Sequence, residues 1–297
     1  MSGPGVALAQ PAGALRFRHQ AMNTVFEIVC THPDAAYARQ AAWAAFDVAG
    51  RLEQELSRFI ENSDISRINS LAAGESARVN RWTMECLQLA RLAWAETAGA
   101  FDISLGSGLD ALSLDPPRLE VRANAAGVRL DLGGIGKGYA VDRMAEVLTE
   151  WCVERAVLHG GFSSVLALEA PVDSAGWPLT MSAPEGPPFV LIHAERRAFS
   201  ASGTQKGDHI VDPRTGQPVR FRRAAWASAP VSALAGFCRK ARSLPGAGAL
   251  GESPAAVVEA FSTAFLILDA REIEDCCRRY PGLESWTLDR EVGHFPD

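Results

Sequence analysis

The sequence predicts an α+β domain, and three observations carry that expectation. Residues 34–59 and 81–98 hold apolar side chains at helical period. Five short β-prone runs follow one another between residues 154 and 202. A glycine-rich segment at 133–138 leads into a further amphipathic stretch. Helix pairs mixed with a strand meander are the pattern of an α+β core.

Each element has a local reason. Residues 1–13 are small and rich in Pro and Gly, and are expected to be a flexible N-terminal segment ahead of one domain at 14–297. Residues 23–30 (NTVFEIVC) are β-prone and read as a strand. Pro33-Asp34 opens a helix expected to run to about Phe59, with Phe46, Ala49, Leu52 and Leu56 on one stripe. In 81–98, Cys86, Leu89, Ala90, Ala93, Trp94 and Thr97 keep the i, i+3, i+4 rule, and Gly99 stops the helix. Residues 128–132 read as a short strand, followed by Gly133 to Gly138 and a helix from about Tyr139 to Trp151. Val141, Met144, Ala145 and Leu148 give that helix its buried face. Strands are expected at 154–159, 163–169, 178–182, 189–194 and 197–202, and helices at 255–268 and 271–280. Residues 240–254 (KARSLPGAGALGESP) read as a flexible loop, and no internal repeat is visible.

Composition narrows the function. A chain of 297 residues, 47% hydrophobic and 22% charged, buries a core without disulfide or metal staples. The net charge of −6 argues against a general nucleic-acid binder, which carries a basic excess or stripe. No apolar run approaches the roughly 18 residues of a transmembrane helix. The cysteines at 30, 86, 152, 238, 276 and 277 form no C-x-x-C pair and read as scattered thiols, which suits a reducing compartment. Ala7-Leu8-Ala9 before Gln10 looks like a signal-peptidase site, yet no basic n-region, apolar h-region or lipobox cysteine accompanies it. As written, the chain is expected to be cytoplasmic, and periplasmic if its start is clipped.

Three strings carry chemistry. The first is LDLGGIGKGYAVD, Leu130 to Asp142. Glycines there let backbone approach a ligand, and a helix N-terminus offers free N–H groups and the positive end of its dipole to an anion. Lys137 adds a point charge. The spacing is neither Walker A nor G-x-G-x-x-G, so the residues alone leave open a phosphate site or a tight turn with a solvated lysine. The second runs from Ser200-Ala201-Ser202-Gly203-Thr204 to His209-Ile210-Val211-Asp212-Pro213-Arg214-Thr215-Gly216. Asp-Pro-Arg-Thr-Gly is turn chemistry, and His209 before it is a general acid–base group or a surface histidine steadying a hairpin. The third places Glu259 and Thr263 at i and i+4 of a helix. Oxygens sharing a face can hold Mg²⁺, a hard ion; the alternative is a helix-start acid with polar filler. Two weaker signals are Gly99 to Ser104, and Leu56 to Phe59 with Ser63 to Asn69. Phe101 is most simply core, while Asp102 on a turn can bind a ligand hydroxyl or amide. Phe59 can stack on a flat ring, and Arg58 can serve an anion or only the surface.

In this order, the segments resemble the FAD:protein FMN transferase family, ApbE. Met22-Asn23-Thr24 resembles the family's Met-Gly-Thr strand start, and Ala100-Phe101-Asp102 its Ala/Phe-Asp flavin contact. Asp131 to Gly138 is close to its central loop, His209 to Gly216 to its His-Ile-Ile-Asp-Pro-Arg-Thr-Gly, and Ser262-Thr263-Ala264 to its Ser-Thr-Ala. The resemblance spans Met22 to about Leu268.

That resemblance implies a single ApbE-like, T-fold-like domain with a β-sheet core flanked by helices. It implies an Mg²⁺-dependent enzyme that cleaves the FAD pyrophosphate, releases AMP and transfers FMN to a Thr or Ser of a target flavoprotein. Neither nucleic acid nor a membrane span takes part. His209 is the implied catalytic base. Met22, Phe59, Ala100, Phe101 and Asp102 are implied around the flavin, and Asp131, Lys137, Ser202, His209 and Ile210 elsewhere along FAD. The implied metal ligands are the Gly134 carbonyl, the Glu259 carboxylate and the Thr263 hydroxyl. The chain departs from the family at four places. Glu259 replaces Asp, moving the carboxylate by one C–C bond, roughly 1.5 Å. The stretch before His209 is shortened to 204–208, the usual Gly-Gly-Asp/Asn reads Gly160-Gly161-Phe162, and the stacking tyrosine is Phe59. Two other readings stay open: an FAD pyrophosphatase, and a catalytically weakened FAD-binding protein.

Overall fold

A computed structural model describes residues 4–8, 11, 13–183, 186–203, 211–242 and 251–290. The strands are β1 Gly5–Leu8, β2 Leu15–Ala21, β3 Thr24–Cys30, β4 Ser76–Arg78, β5 Leu112–Asp115, β6 Glu120–Ala123, β7 Ala156–Gly160 and β8 Ser164–Ala167. They continue with β9 Trp177–Ser182, β10 Pro188–Ala194, β11 Arg197–Gly203, β12 Val211–Asp212, β13 Gln217–Pro218, β14 Arg222–Pro230 and β15 Glu284–Asp289. The helices are α1 Ala35–Leu56, α2 Asp64–Asn69, α3 Arg81–Glu96, α4 Gly136–Glu150, α5 Val231–Arg242, α6 Pro254–Phe265 and α7 Ala270–Arg279.

Seven strands in the order β15-β14-β11-β8-β7-β3-β2 form one antiparallel sheet. Helices α1, α4 and α6 pack on one face, and the three-stranded sheet β1-β9-β10 covers the other. Strand parity divides the core between these faces. Phe26, Ile28, Ala156, Leu158 and Ala198 point to the helices, while Val29, Val157, Phe199 and Ala201 meet Val6, Trp177 and Leu179. The same parity turns Ser200 and Ser202 toward α6. A small sheet, β4-β6-β5, and the β12-β13 hairpin lie outside these layers.

The α1 helix is capped by the Asp34 carboxylate, which accepts from the Ala36 and Tyr37 N–H groups at 2.9 and 3.0 Å. Its buried stripe is mostly alanine (38, 41, 42, 45 and 49), and such small side chains let α4 lie close. The helix ends at Leu56, short of Phe59, because Ser57 is extended and its Oγ accepts from the Phe59 N–H. Gly136, Lys137 and Gly138, expected ahead of α4, are its first residues.

Three expectations are corrected. Residues 128–132 form no strand. Their backbone is held instead by Asn69, whose side chain bonds both the N–H and the carbonyl of Leu130, and by the Ile103 carbonyl, which accepts from Asp131. Within the segment expected to be loose, residues 5–8 form β1, with Val6 buried. Residues 240–242 are the last turn of α5 rather than loop, while 243–250 lie outside the described residues. All six cysteines are free thiols. No helix among the described residues is long and apolar enough to cross a membrane.

Besides its ladder to β9, β1 is held by His159. This ring, 4% exposed, contacts the Val6 carbonyl through Nε2, and Nδ1 accepts from the Phe162 N–H at 3.0 Å. Both bonds require a neutral ring with its proton on Nε2. Burial lowers its pKa, against the opposing pull of the Val6 carbonyl and Glu27; Arg16 adds to the lowering. The unfolded ring therefore takes a proton near about pH 6.5, and the folded ring only at lower pH. Stability is expected to fall as pH drops from 7.5 to 5.5, by at most about 1.4 kcal/mol per pH unit from this group. Urea titrations of the parent and His159→Gln check this: the variant loses that part of the acid slope, and identical slopes refute the assignment.

Candidate active site

The site forms where the N-terminus of α4 meets α6 and the C-terminal end of β11. Glu259, 3% exposed, projects from α6 toward the first turn of α4. One carboxylate oxygen pairs with the Lys137 ammonium, and the other accepts from the Gly138 N–H at 2.6 Å. Lys137 Nζ also donates to the Gly133 carbonyl at 3.0 Å. One turn along α6, Thr263 donates to the Glu259 carbonyl at 3.0 Å and lies 3.2 Å from Ser202 Oγ. Ser202 in turn lies 2.9 Å from Ser262, which reaches Ser200 at 3.0 Å. Gly134 completes the group: a Cβ built there would lie 3.3 Å from Thr263 Oγ1 and 3.2 Å from the Phe101 ring.

The glycine loop is held from outside as well. Asp131 accepts from the Gly133 N–H at 2.9 Å and pairs with Arg58 at 2.9 Å. The Arg58 guanidinium lies over the Phe59 ring at 4.3 Å, and that ring is 81% exposed. An aromatic so exposed, yet tied to the loop through a cation, is placed to accept a flat partner. Ala100 and Phe101 are buried, with the Phe101 N–H bonded to Thr97 Oγ1. They therefore shape the floor of the loop. Asp102 staples its own turn, accepting from the Ser104 N–H and hydroxyl at 2.7 Å and from the Gly106 N–H at 3.1 Å. That turn abuts the Asp-Pro-Arg-Thr-Gly segment, because a Cβ on Gly106 would meet the Pro213 carbonyl at 2.9 Å.

Met22 joins at one remove. It and Asn23 form the two-residue turn between β2 and β3, both with positive φ (52° and 55°). Asn tolerates that conformation; Met adopts it at a cost, the kind of strain that collects at functional sites. Next to this hairpin, Gly161 lies against Thr24, and Gly160 lies against Phe26 and against Val141 of α4. His209 and Ile210 lie outside the described residues.

Behind the site is a buried polar network that sequence reasoning did not find. Asp142 accepts from the Ala255 and Ala256 N–H groups, each at 2.9 Å. Burial pushes its carboxyl up to about 8, opposed by Arg143 and those two N–H groups. Arg143 reaches the Glu252 carbonyl at 2.7 Å and pairs with Glu146 and Glu85, and Tyr139 donates to Glu85 at 2.9 Å. Ser200, Ser262 and Asn69 stood in the segments singled out in the sequence, without the supporting roles they hold here. The only sequence signal for the serines was the Ser-x-Ser alternation in β11 beside a Ser-Thr pair on a helix.

The side chains suit a hard divalent cation in kind, one carboxylate and one hydroxyl, with Gly134 beside the hydroxyl. Among the described residues no cluster of three or more His, Cys, Asp or Glu side chains could hold a metal. A single carboxylate with neutral oxygens is the Mg²⁺ pattern in which substrate phosphates supply the remaining ligands.

The ApbE family profile matches residues 22–120 and 107–241, most of the chain, and the chain belongs to that family. A protein of Klebsiella pneumoniae named FAD:protein FMN transferase is 26% identical over 219 residues, covering 62% of this chain and 69% of that one. One of the same name from Buchnera aphidicola is 22% identical over 218 residues, covering 56% of this chain and 61% of its own length. The flavin transferase ApbE of Vibrio cholerae has the same fold, with a TM-score of 0.77 at 16% identity over 95% of each chain.

Proposed function

We propose that this chain is an FAD:protein FMN transferase that moves FMN from FAD to a Thr or Ser hydroxyl of a target flavoprotein. The observation that carries the reading is the convergence of Gly134, Lys137, Ser202, Glu259 and Thr263 at one helix N-terminus, in a chain of the ApbE family. The α4 N-terminus and Lys137 suit a pyrophosphate. Phe59, on the far side of Asp131 and Arg58, suits the flavin ring. Gly134, Glu259 and Thr263 would hold Mg²⁺, which when bound neutralises charge on a transferring phosphoryl group. The acceptor hydroxyl oxygen bonds to the FMN phosphorus, the P–O bond to AMP breaks, and AMP leaves. His209 takes the hydroxyl proton, a task matched to a neutral imidazole near pH 7.

The test is incubation with FAD, Mg²⁺ and a candidate acceptor, with mass spectrometry of protein and nucleotide. The acceptor is expected to gain FMN as AMP accumulates. FMN and AMP with no change in acceptor mass would make the chain a pyrophosphatase, and unchanged FAD would make it a binding protein. His209→Ala is expected to bind FAD nearly as the parent does while transfer falls by about 10²-fold or more. A folded variant transferring at the parental rate would leave His209 as a hairpin residue.

A further inference from the structure

We infer that Asp142 is a positioning residue, which caps α6 from α4 and so sets where Glu259 and Thr263 meet the glycine loop. The role rests on the functional reading above. Helix α6 is not capped by its own chain: Ser253 at the N-cap makes no side-chain bond to the first turn, and Pro254 follows with no N–H to offer. The next two N–H groups, Ala255 and Ala256, both go to Asp142, one to each carboxylate oxygen at 2.9 Å. Asp142 is 2% exposed, so water does not compete for those bonds.

The contact has no slack. Four residues before Asp142 on the same helix, Gly138 lies against the Ala255–Ala256 backbone so closely that a Cβ would fall within 2.7 Å of three of its atoms. The Gly138 N–H also holds Glu259. One turn of α4 thus fixes α6 at two levels, at its first N–H groups and at Glu259. Helices are stiff, with a rise of about 1.5 Å per residue, so a displacement at Ala255 carries to Glu259 and Thr263. A site for Mg²⁺ demands near-ideal ligand geometry and feels such a displacement.

The experiment measures Mn²⁺ binding by EPR on the FAD-loaded full chain, for the parent, Asp142→Asn and Asp142→Glu. Asn keeps one acceptor and turns an N–H₂ toward the second donor. Glu keeps both carboxyl oxygens but moves them by roughly 1.5 Å. Both variants are expected to weaken Mn²⁺ binding by about tenfold, the scale seen when supports of metal ligands are changed. FAD affinity without metal should change less than about twofold, and α6 amides in Asp142→Glu should keep their hydrogen-exchange protection. If Asp142→Asn does not fold, Asp142→Glu alone decides. Folded variants with lowered thermal stability but parental Mn²⁺ affinity would overturn the role. A parent that binds no Mn²⁺ would overturn the metal assignment first, and this role with it.

Discussion

One methyl group at Gly138 is expected to destabilise the protein, while the same methyl at Gly136 is expected to be neutral or stabilising. The two positions are two residues apart at the start of α4. A Cβ at Gly138 would lie within 2.7 Å of the Ala255 carbonyl and the Ala256 nitrogen, and backbone cannot rotate away as a side chain can. Helices α4 and α6 must separate, at a cost of about 1–3 kcal/mol for overpacking of this kind. The separation also stretches the 2.6 Å bond from Gly138 to Glu259. A Cβ at Gly136 would meet nothing nearer than Leu132 Cβ at 3.8 Å, in ordinary helical backbone. There Ala removes unfolded-chain freedom, worth about 0.4–1 kcal/mol. Urea unfolding measures both variants. For Gly138→Ala, FAD turnover should fall by about 10²-fold, since an ångström of misplacement costs that much. A Gly138→Ala protein with parental stability and turnover would show that the close approach of α4 and α6 is not needed.

Where apolar period and caps agree, the sequence was legible. Asp34 and the stripe through Phe46, Leu52 and Leu56 announce α1, and the β-prone runs from 154 to 202 became β7 to β11 with ends shifted by at most two residues. Failures came where local signals were weak or were overridden by partners far along the chain. Leu130 has strand-like neighbours, but its backbone groups are claimed by Asn69, sixty-one residues away. In β14, residues 222–230 run RRAAWASAP, and its alanines gain meaning only between β11 and β15. Residues 5–8 read as a loose start because nothing local shows that β9 will pair with them.

For the candidate site, motif order singled out residues that the fold brings together, such as Gly134, Lys137, Ser202, Glu259 and Thr263, and could not supply their bonds. Glu259 and Thr263 share a helix face as their i, i+4 spacing implies, and Gly134 lies beside Thr263. The sequence did not say that Lys137, counted among the FAD contacts, is paired with Glu259. Nor did it suggest that Asp102 spends its oxygens on its own turn. Such pairings join residues more than a hundred positions apart, or depend on a turn geometry that composition does not encode.

Replacing Glu259 is expected to have the largest effect on activity. Glu259→Ala leaves the Lys137 ammonium with only the Gly133 carbonyl and strips the Gly138 N–H of its acceptor. Glu259→Gln keeps an acceptor for Gly138 but removes the charge, and its amide nitrogen faces an ammonium. Both should lower FAD turnover by at least about 10²-fold, since changes to mere supports of metal ligands already cost 10–100-fold. Gln should retain more stability than Ala, because it leaves fewer buried groups unpaired. Glu259→Asp tests the geometry. The shorter arm withdraws by roughly 1.5 Å from Lys137 and Gly138 and restores the residue that the resemblance implies there. The Asp variant is expected to need less Mg²⁺ for half-maximal turnover than the parent, with Lys137 released toward the pyrophosphate. Turnover against Mg²⁺ concentration across the three variants decides. If Glu259→Ala turns over FAD at the parental rate with the same Mg²⁺ dependence, the carboxylate holds no metal, and its role is confined to pairing Lys137 and tying α6 to α4.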